Sequence, residues 1–266
     1  MATALDRIIE YKRNEVSALK SETSEAQLLS EASAAPPVQG FASSLASIVA
    51  EGNAALICEL KRKSPSAGDI LLGANPVDIA RDYENAGAAC LSILTDFQSF
   101  GGSLDDLRTI RGAVSLPILR KEFMIDTIQV AEARSAGADA ILVILSAVDD
   151  ALASDLIAAA HDLTMDVIVE VHDEGELDRA NALPASLVGI NNRDLKRMVT
   201  DLTVTERLAP LLDPGKSLIS ESGISSPDDI RRLASTGARR FLIGESLMKS
   251  RNRRASCANL RNAICD

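Results

Sequence analysis

The chain has 266 residues, 46% hydrophobic and 25% charged, with 28 Lys plus Arg against 38 Asp plus Glu and a net charge of −10. That balance works against nonspecific binding to nucleic acid or to an anionic membrane, and it obliges any anionic substrate to be held by a local positive site. No apolar stretch approaches the roughly 20 residues that span a bilayer and no signal-peptide core opens the chain, so a cytoplasmic protein is expected.

Residues 4 to 20 place Leu5, Ile8, Ile9, Val16 and Leu19 at helical spacings, with charged residues filling the other faces. A second helix is expected over Glu25 to Ala32, a break at Ala34-Ala35-Pro36-Pro37, and a further short helix over Phe41 to Val49. These first fifty residues read as a helical extension whose apolar stripes must cover something. Residues 51–266 read as the catalytic domain.

From Ala55 onward, short aliphatic runs alternate with helical patterns. The runs are Ala55 to Lys61, Ala89 to Leu94, Pro117 to Lys121, Ala140 to Leu145, Asp166 to Val171, Leu187 to Asn191, Ser217 to Glu221, and Arg240 to Gly244. They recur at roughly 26 residues, the length of one strand, one helix and two short loops, which points to a parallel sheet. Ala86-Gly87-Ala88, Ala136-Gly137-Ala138 and Thr236-Gly237-Ala238 echo one another, each Gly falling where a left-handed helix C-cap is needed before the next strand. Pro76-Val77-Asp78, Ser103 with Asp105 and Asp106, Asp149-Asp150, and Ser226-Pro227-Asp228-Asp229 mark helix starts, and a last helix near Arg254 to Ile264 closes the array. Eight such modules with nearly uninterrupted apolar strands imply a single α/β domain, a (β/α)8 TIM barrel. The alternative is an open eight-stranded sheet.

In a barrel of this kind the working residues lie at the C-terminal strand ends, and here those ends are polar. Ile57, Glu59 and Lys61 share one face, with the two charges roughly 6.5 Å apart along the backbone. The third run ends in Lys121, the fifth offers Glu170, the sixth ends in Asn191, and the seventh ends in Glu221 followed by Ser222 and Gly223. Six polar groups converging on one mouth indicate catalysis. A second cluster, Ser222-Gly223-Ile224-Ser225 and Ile243-Gly244-Glu245-Ser246, follows the last two runs, where barrel enzymes bind phosphate through backbone N–H groups. A small phosphorylated substrate follows.

The two histidines, His161 and His172, fall in a helix and beyond a strand end, and read as structural or solvated. No His/Cys or paired-Asp cluster suggests a metal site, and no G-x-G-x-x-G follows a strand, so neither a metal nor a nucleotide cofactor is expected. Cys58, Cys90, Cys257 and Cys265 lack metal-type spacing and read as small core residues in a reducing compartment.

The chain resembles the indole-3-glycerol-phosphate synthases over essentially its whole length. The stretches that carry the resemblance are Leu5 to Lys20 (LDRIIEYKRNEVSALK), Glu59 to Ser66 (ELKRKSPS), Leu94 to Ser103 (LTDFQSFGGS) and Pro117 to Phe123 (PILRKEF). Glu170, Gly189 to Leu195 (GINNRDL), Ser220 to Ser225 (SESGIS) and Phe241 to Met248 (FLIGESLM) continue it. The resemblance implies closure of the pyrrole ring of 1-(2-carboxyphenylamino)-1-deoxyribulose 5-phosphate, with loss of carbon dioxide and water, in tryptophan biosynthesis. It implies Lys121 as general acid of the condensation, Glu170 as acid or base of the dehydration, and Lys61 on the substrate carboxylate or as a further acid. Glu59, Asn191, Glu221 and Ser222 would orient the lysines and the substrate hydroxyls. Lys61, Ser64, Gly223, Gly244 and Glu245 would hold the phosphate, and Phe100, Phe123 and Arg193 complete the binding set, with a monomer or weak homo-oligomer as the assembly. Two positions depart from the family pattern: Glu122, where many members carry Asp, and the less charged stretch Asp96 to Phe100. Two other functions compete, a Schiff-base lyase using Lys121 or Lys61 as nucleophile, and a noncatalytic phosphate-binding barrel.

Overall fold

Eight parallel strands close on themselves in the computed structural model of the chain, which describes residues 3–64, 68–71, 73–194 and 199–264. In chain order the elements begin with α1 (Ala4–Glu22), α2 (Glu25–Ala34) and α3 (Phe41–Ala50), followed by β1 (Ala55–Leu60) and α4 (Pro76–Asn85). Next come β2 (Cys90–Leu94), α5 (Phe97–Phe100), α6 (Leu104–Arg111), β3 (Ile118–Lys121), α7 (Ile128–Ser135), β4 (Ala140–Ile144), α8 (Asp150–Asp162), β5 (Asp166–Val171) and α9 (Glu174–Ala182). The chain ends with β6 (Leu187–Asn191), α10 (Thr203–Leu208), β7 (Ser217–Glu221), α11 (Pro227–Ala234), β8 (Arg240–Ile243), α12 (Glu245–Lys249) and α13 (Arg253–Arg261). Each strand pairs with its sequence neighbours, and β1 pairs with β8 to close the barrel, so the open-sheet alternative is overturned.

The alternation of side chains along each strand divides the apolar residues into two cores. Ile57, Leu119, Leu142, Ile168, Leu187, Ile219 and Leu242 belong to the cluster that fills the barrel. Leu56, Leu91, Ile141, Val167, Val188 and Phe241 belong to the other, which packs the strands against the surrounding helices. Because the period is two, the inward residues fix which later positions face the mouth.

Local sequence explains the helix starts. Asn75 accepts from the Val77 N–H ahead of Pro76, Ser103 caps α6, Asp149 caps α8 and Asp173 caps α9, while Ser226 and Asp229 form a reciprocal capping box at α11. Gly87, Gly137 and Gly237 all take positive φ, the backbone that a left-handed turn after a helix requires.

The three N-terminal helices meet the barrel at both ends. Phe41 and Leu45 of α3 are fully buried with the barrel-interior cluster, and the backbone N–H groups of Gln39 and Ala42 donate to Asp139 and Asp166 at the strand starts. Thus α3 closes the N-terminal end. Ile8 of α1 joins the interior cluster, whereas Val16 packs with Leu28 of α2 and Ile128 and Ala131 of α7.

Cys58 and Cys90 are buried on β1 and β2, and Cys257 is buried on α13. Cys265 lies outside the described residues. So do Pro65, Ser66, Leu195 and the side chain of Ser64.

Candidate active site

The inward parity established by Ile57, Leu119, Ile168, Leu187 and Ile219 continues to Glu59, Lys121, Glu170, Asn191 and Glu221, and these groups line one cavity of about 470 Å³ at the C-terminal mouth. Lys61, one residue beyond β1, joins them. Its Nζ donates to Glu59 Oε1 at 2.7 Å, and the pair is almost fully buried. Across the cavity, Lys121 Nζ donates to Glu170 Oε2 at 2.8 Å and to Glu221 Oε2 at 2.6 Å. Asn191 Nδ2 donates to Glu170 Oε1 at 3.1 Å.

Two glycines make this crowding possible. A Cβ at Gly189 would lie 2.1 Å from Glu221 Oε1, and one at Gly244 would lie 2.6 Å from Glu59 Oε1. Any side chain at either position would collide with a carboxylate of the adjoining strand.

The electrostatics follow from burial and charge count. Burial by itself would lower the Lys121 pKa, but Glu170, Glu221 and Glu59 together raise it well above the ordinary lysine value. The ammonium is therefore retained. Burial pushes the Glu170 carboxyl up, yet Lys121 and His172 outweigh it and hold the group well below the usual carboxylate range. Glu221 is the reverse case: burial, opposed by Lys121 and reinforced by Glu170, pushes it up to about 7. Its Oε1 is buried and has no hydrogen-bond partner. Two carboxylates on one lysine are thus pushed apart, one ionised and one poised to carry a proton near neutrality.

Apolar residues share the lining with these charges. Phe100 follows β2 and Phe123 follows β3, with ring centroids 6.2 Å apart, and Leu94, Leu142 and Ile144 extend the surface. The rest of the lining comes from the loops after β6, β7 and β8, which contribute Arg193, Ser222, Gly223, Ile224, Ser225, Gly244, Glu245 and Ser246. Ser222 and Gly223 both adopt positive φ, turning the chain sharply off β7. Arg193 lies 3.5 Å from Glu245 and links two of these loops. Of the site residues expected from the sequence, Ser64 alone has no described side chain; the others all border this cavity.

Sequence reasoning missed two features. His172, read as structural or solvated, is largely buried, with Nε2 at 3.3 Å from Glu170 Oε1 and Nδ1 at 3.0 Å from Glu176 Oε2. The chain turns immediately after Val171, so strand parity no longer predicts where residue 172 points. Its one sequence signal was Glu176 four residues on, within reach of a helix start. The second feature is Lys12, whose Nζ sits among Glu15 (2.7 Å), Asp96 (3.0 Å) and Glu122 (2.9 Å). This gives the two departures from the family pattern a structural role, since Asp96 and Glu122 are where α1 docks beside the cavity.

Comparison with known proteins agrees with the resemblance read from the motifs. A sequence model described as Indole-3-glycerol phosphate synthase matches residues 5–260. The chain is 62% identical over 265 residues to the indole-3-glycerol phosphate synthase of Hyphomonas neptunium, covering 100% of both chains. It is 48% identical to that of Magnetococcus marinus, covering 92% of each. Among solved structures, a 3-hexulose-6-phosphate synthase superimposes with a TM-score of 0.65 at 17% identity, covering 79% of this chain and 100% of that one, a likeness of fold alone.

Proposed function

Since the chain belongs to the indole-3-glycerol phosphate synthase family, ring-closing decarboxylating lyases of tryptophan biosynthesis, we propose that its reaction is divided among the two lysine–carboxylate clusters of the cavity. The substrate is 1-(2-carboxyphenylamino)-1-deoxyribulose 5-phosphate. Its carbonyl oxygen takes a proton from Lys121 as the ring carbon bearing the carboxylate bonds to the carbonyl carbon. The carboxylate then leaves as carbon dioxide, its electron pair restoring the ring, and the new hydroxyl leaves as water with loss of a proton to form the pyrrole. One proton is consumed overall, because an anionic carboxylate departs as a neutral molecule.

The observation that carries this reading is the hold of two buried carboxylates on Lys121 Nζ, Glu170 at 2.8 Å and Glu221 at 2.6 Å, which keeps the amine as an ammonium. A Schiff-base nucleophile needs a neutral amine, whereas a lysine held as ammonium is a proton donor. Lys61, neutralised by Glu59, takes the substrate carboxylate; Asn191 orients Glu170, and Glu221 and Ser222 meet the substrate hydroxyls. Phe100 and Phe123 flank the aromatic ring. Lys61, Ser64, Gly223, Gly244 and the Glu245 N–H hold the phosphate, with Arg193 bracing that end through Glu245.

Residues 1–50 act as an extension to the barrel of residues 51–266. The buried thiols Cys58 and Cys257, with sulfurs 3.6 Å apart and unbridged, suit a reducing cytoplasm. Large exposed hydrophobics such as Phe97, Val199 and Leu211 are scattered, which fits a monomer or weak homo-oligomer, and the net charge of −10 disfavours nucleic acid. None of the described helices is long and apolar enough to cross a membrane.

The absence of Trp makes the test direct. Purified protein given the substrate should develop indole emission continuously, with carbon dioxide released in equal amount. Enzyme treated with borohydride in the presence of substrate, then freed of small molecules and given fresh substrate, should keep its activity, because no imine to the protein is there to be trapped. Inactivation by borohydride, or folded protein yielding neither product, would overturn the assignment.

A further inference from the structure

We propose that His172 is a positioning residue of this reaction: wedged between Glu176 and Glu170, it keeps the Glu170 carboxylate charged and fixed in the cavity, so that Glu170 serves as a base and not as an acid. The proposal rests on the reading of Glu170 as a reacting group and decides which of its two roles it plays.

The wedge is built by the start of α9. Asp173 is its N-cap, and Glu176, at the third helical position, reaches back so that its Oε2 accepts the His172 backbone N–H at 2.9 Å while contacting Nδ1 at 3.0 Å. That double hold turns the ring inward and sets Nε2 against Glu170 Oε1 at 3.3 Å, an ion-pair contact and not an aligned hydrogen bond. Asn191 Nδ2 donates to the same oxygen, and Lys121 donates to Oε2. Both Glu170 oxygens therefore face N–H donors. A proton on either would point at a donor and forfeit a charge-assisted contact, so the site is shaped for the carboxylate form. Glu221 differs: its Oε1 has no partner, which leaves room for a proton.

The charges around the pair act in the same direction. Glu170 is faced from β3 by Lys121 and from β7 by Glu221, with Glu59 and Lys61 across the cavity. His172 is faced by Glu170 and by Glu176. Beyond it lies a second cavity of about 1090 Å³ whose charged walls are Asp6 of α1, Asp149 and Asp150 at the start of α8, Asp173 and Arg179 of the α9 region, Arg193 and Asp194 after β6, Asp201, and Arg207 of α10. Burial would lower the His172 pKa, but Glu170 and Glu176 raise it to about 10, so the ring carries its charge through neutrality.

The sign follows. Removing the imidazolium takes away one of the charges that depress Glu170, so its titration must move to higher pH. In enzyme carrying carbon-13 at the glutamate δ-carbon, the resonance missing from Glu170→Gln identifies Glu170. The wild-type signal should stay that of a carboxylate from neutrality down past the ordinary glutamate value of about 4.3. In His172→Gln, which keeps a donor but not the charge, the midpoint should rise by about one unit or more. His172→Asn, the shorter neutral amide, should raise it likewise and carries the test if His172→Gln does not fold. His172→Ala should lower kcat by about tenfold or more with KM changed less than about twofold, and His172→Gln should recover part of that loss. Midpoints that superimpose on wild type, or a wild-type Glu170 protonated near neutrality, overturn the proposal. Full activity in Glu170→Gln would instead overturn the role of Glu170 itself.

Discussion

Two lysines in this molecule are each held by a set of carboxylates yet differ in what can reach them. Lys121 at the barrel mouth sits between Glu170 and Glu221, and Lys12 of α1 sits among Glu15, Asp96 and Glu122; carboxylates hold both well above the ordinary lysine pKa against the effect of burial. What separates them is access. The Lys121 side chain is 14% exposed and borders the cavity, whereas that of Lys12 is 2% exposed and sealed under the helix that carries it. A perturbed lysine thus marks chemistry only where a substrate can reach it.

Around Lys12 every group points to fixing two segments together. Asp96 accepts from Tyr11 Oη at 2.7 Å and from the Ser99 N–H at 2.7 Å, capping the short helix that ends in Phe100. Glu122 accepts from Thr95 Oγ1 at 2.7 Å and from the Phe123 N–H at 2.8 Å. The sealed cluster thereby braces the stretches that carry Phe100 and Phe123, while the open one borders the cavity.

Three substitutions test that contrast. The largest effect expected is in Lys121→Met, which should lower turnover by about 10²–10⁴-fold, the usual contribution of a general acid, while the barrel stays folded by circular dichroism. Turnover near wild type would place the acid elsewhere. Lys12→Met should do the opposite, costing about 3–5 kcal/mol in denaturant unfolding because it strands buried carboxylates, with kcat changed less than tenfold. Near-neutral stability would mean that the sealed cluster holds nothing together. The smallest effect belongs to an exposed pair, Arg232 with Glu206 at 2.6 Å; Arg232→Ala or Glu206→Ala should leave both the denaturant midpoint of unfolding and kcat essentially at wild type. A larger loss would show that exposure is a poor guide to which ion pairs matter here.

The site was legible in the chain to the extent that it lies on strands. Ile57, Glu59 and Lys61 alternate on one face, as do Leu119 with Lys121, Ile168 with Glu170, and Ile219 with Glu221, so the pattern that buries the aliphatic residue also aims the polar one into the mouth. His172 escaped because it lies one residue past the last position where that parity holds. Lys12 escaped because nothing local distinguishes it from Arg13 or Lys20 on the same helix; its partners are 84 and 110 residues away in the chain.

Period-two burial, helix caps and glycine turns are properties of neighbouring residues, and they were enough for the sequence by itself to determine eight βα units, the polar strand ends and the family. Which cation meets which carboxylate depends on closure of the barrel and on the docking of α1, events that bring distant residues within 3 Å and remove water from between them. Only the tertiary structure could decide that Glu170 is fully engaged by donors while Glu221 keeps one oxygen free, because the strength and sign of each pKa shift are set by distance and desolvation, which the order of residues along the chain does not contain.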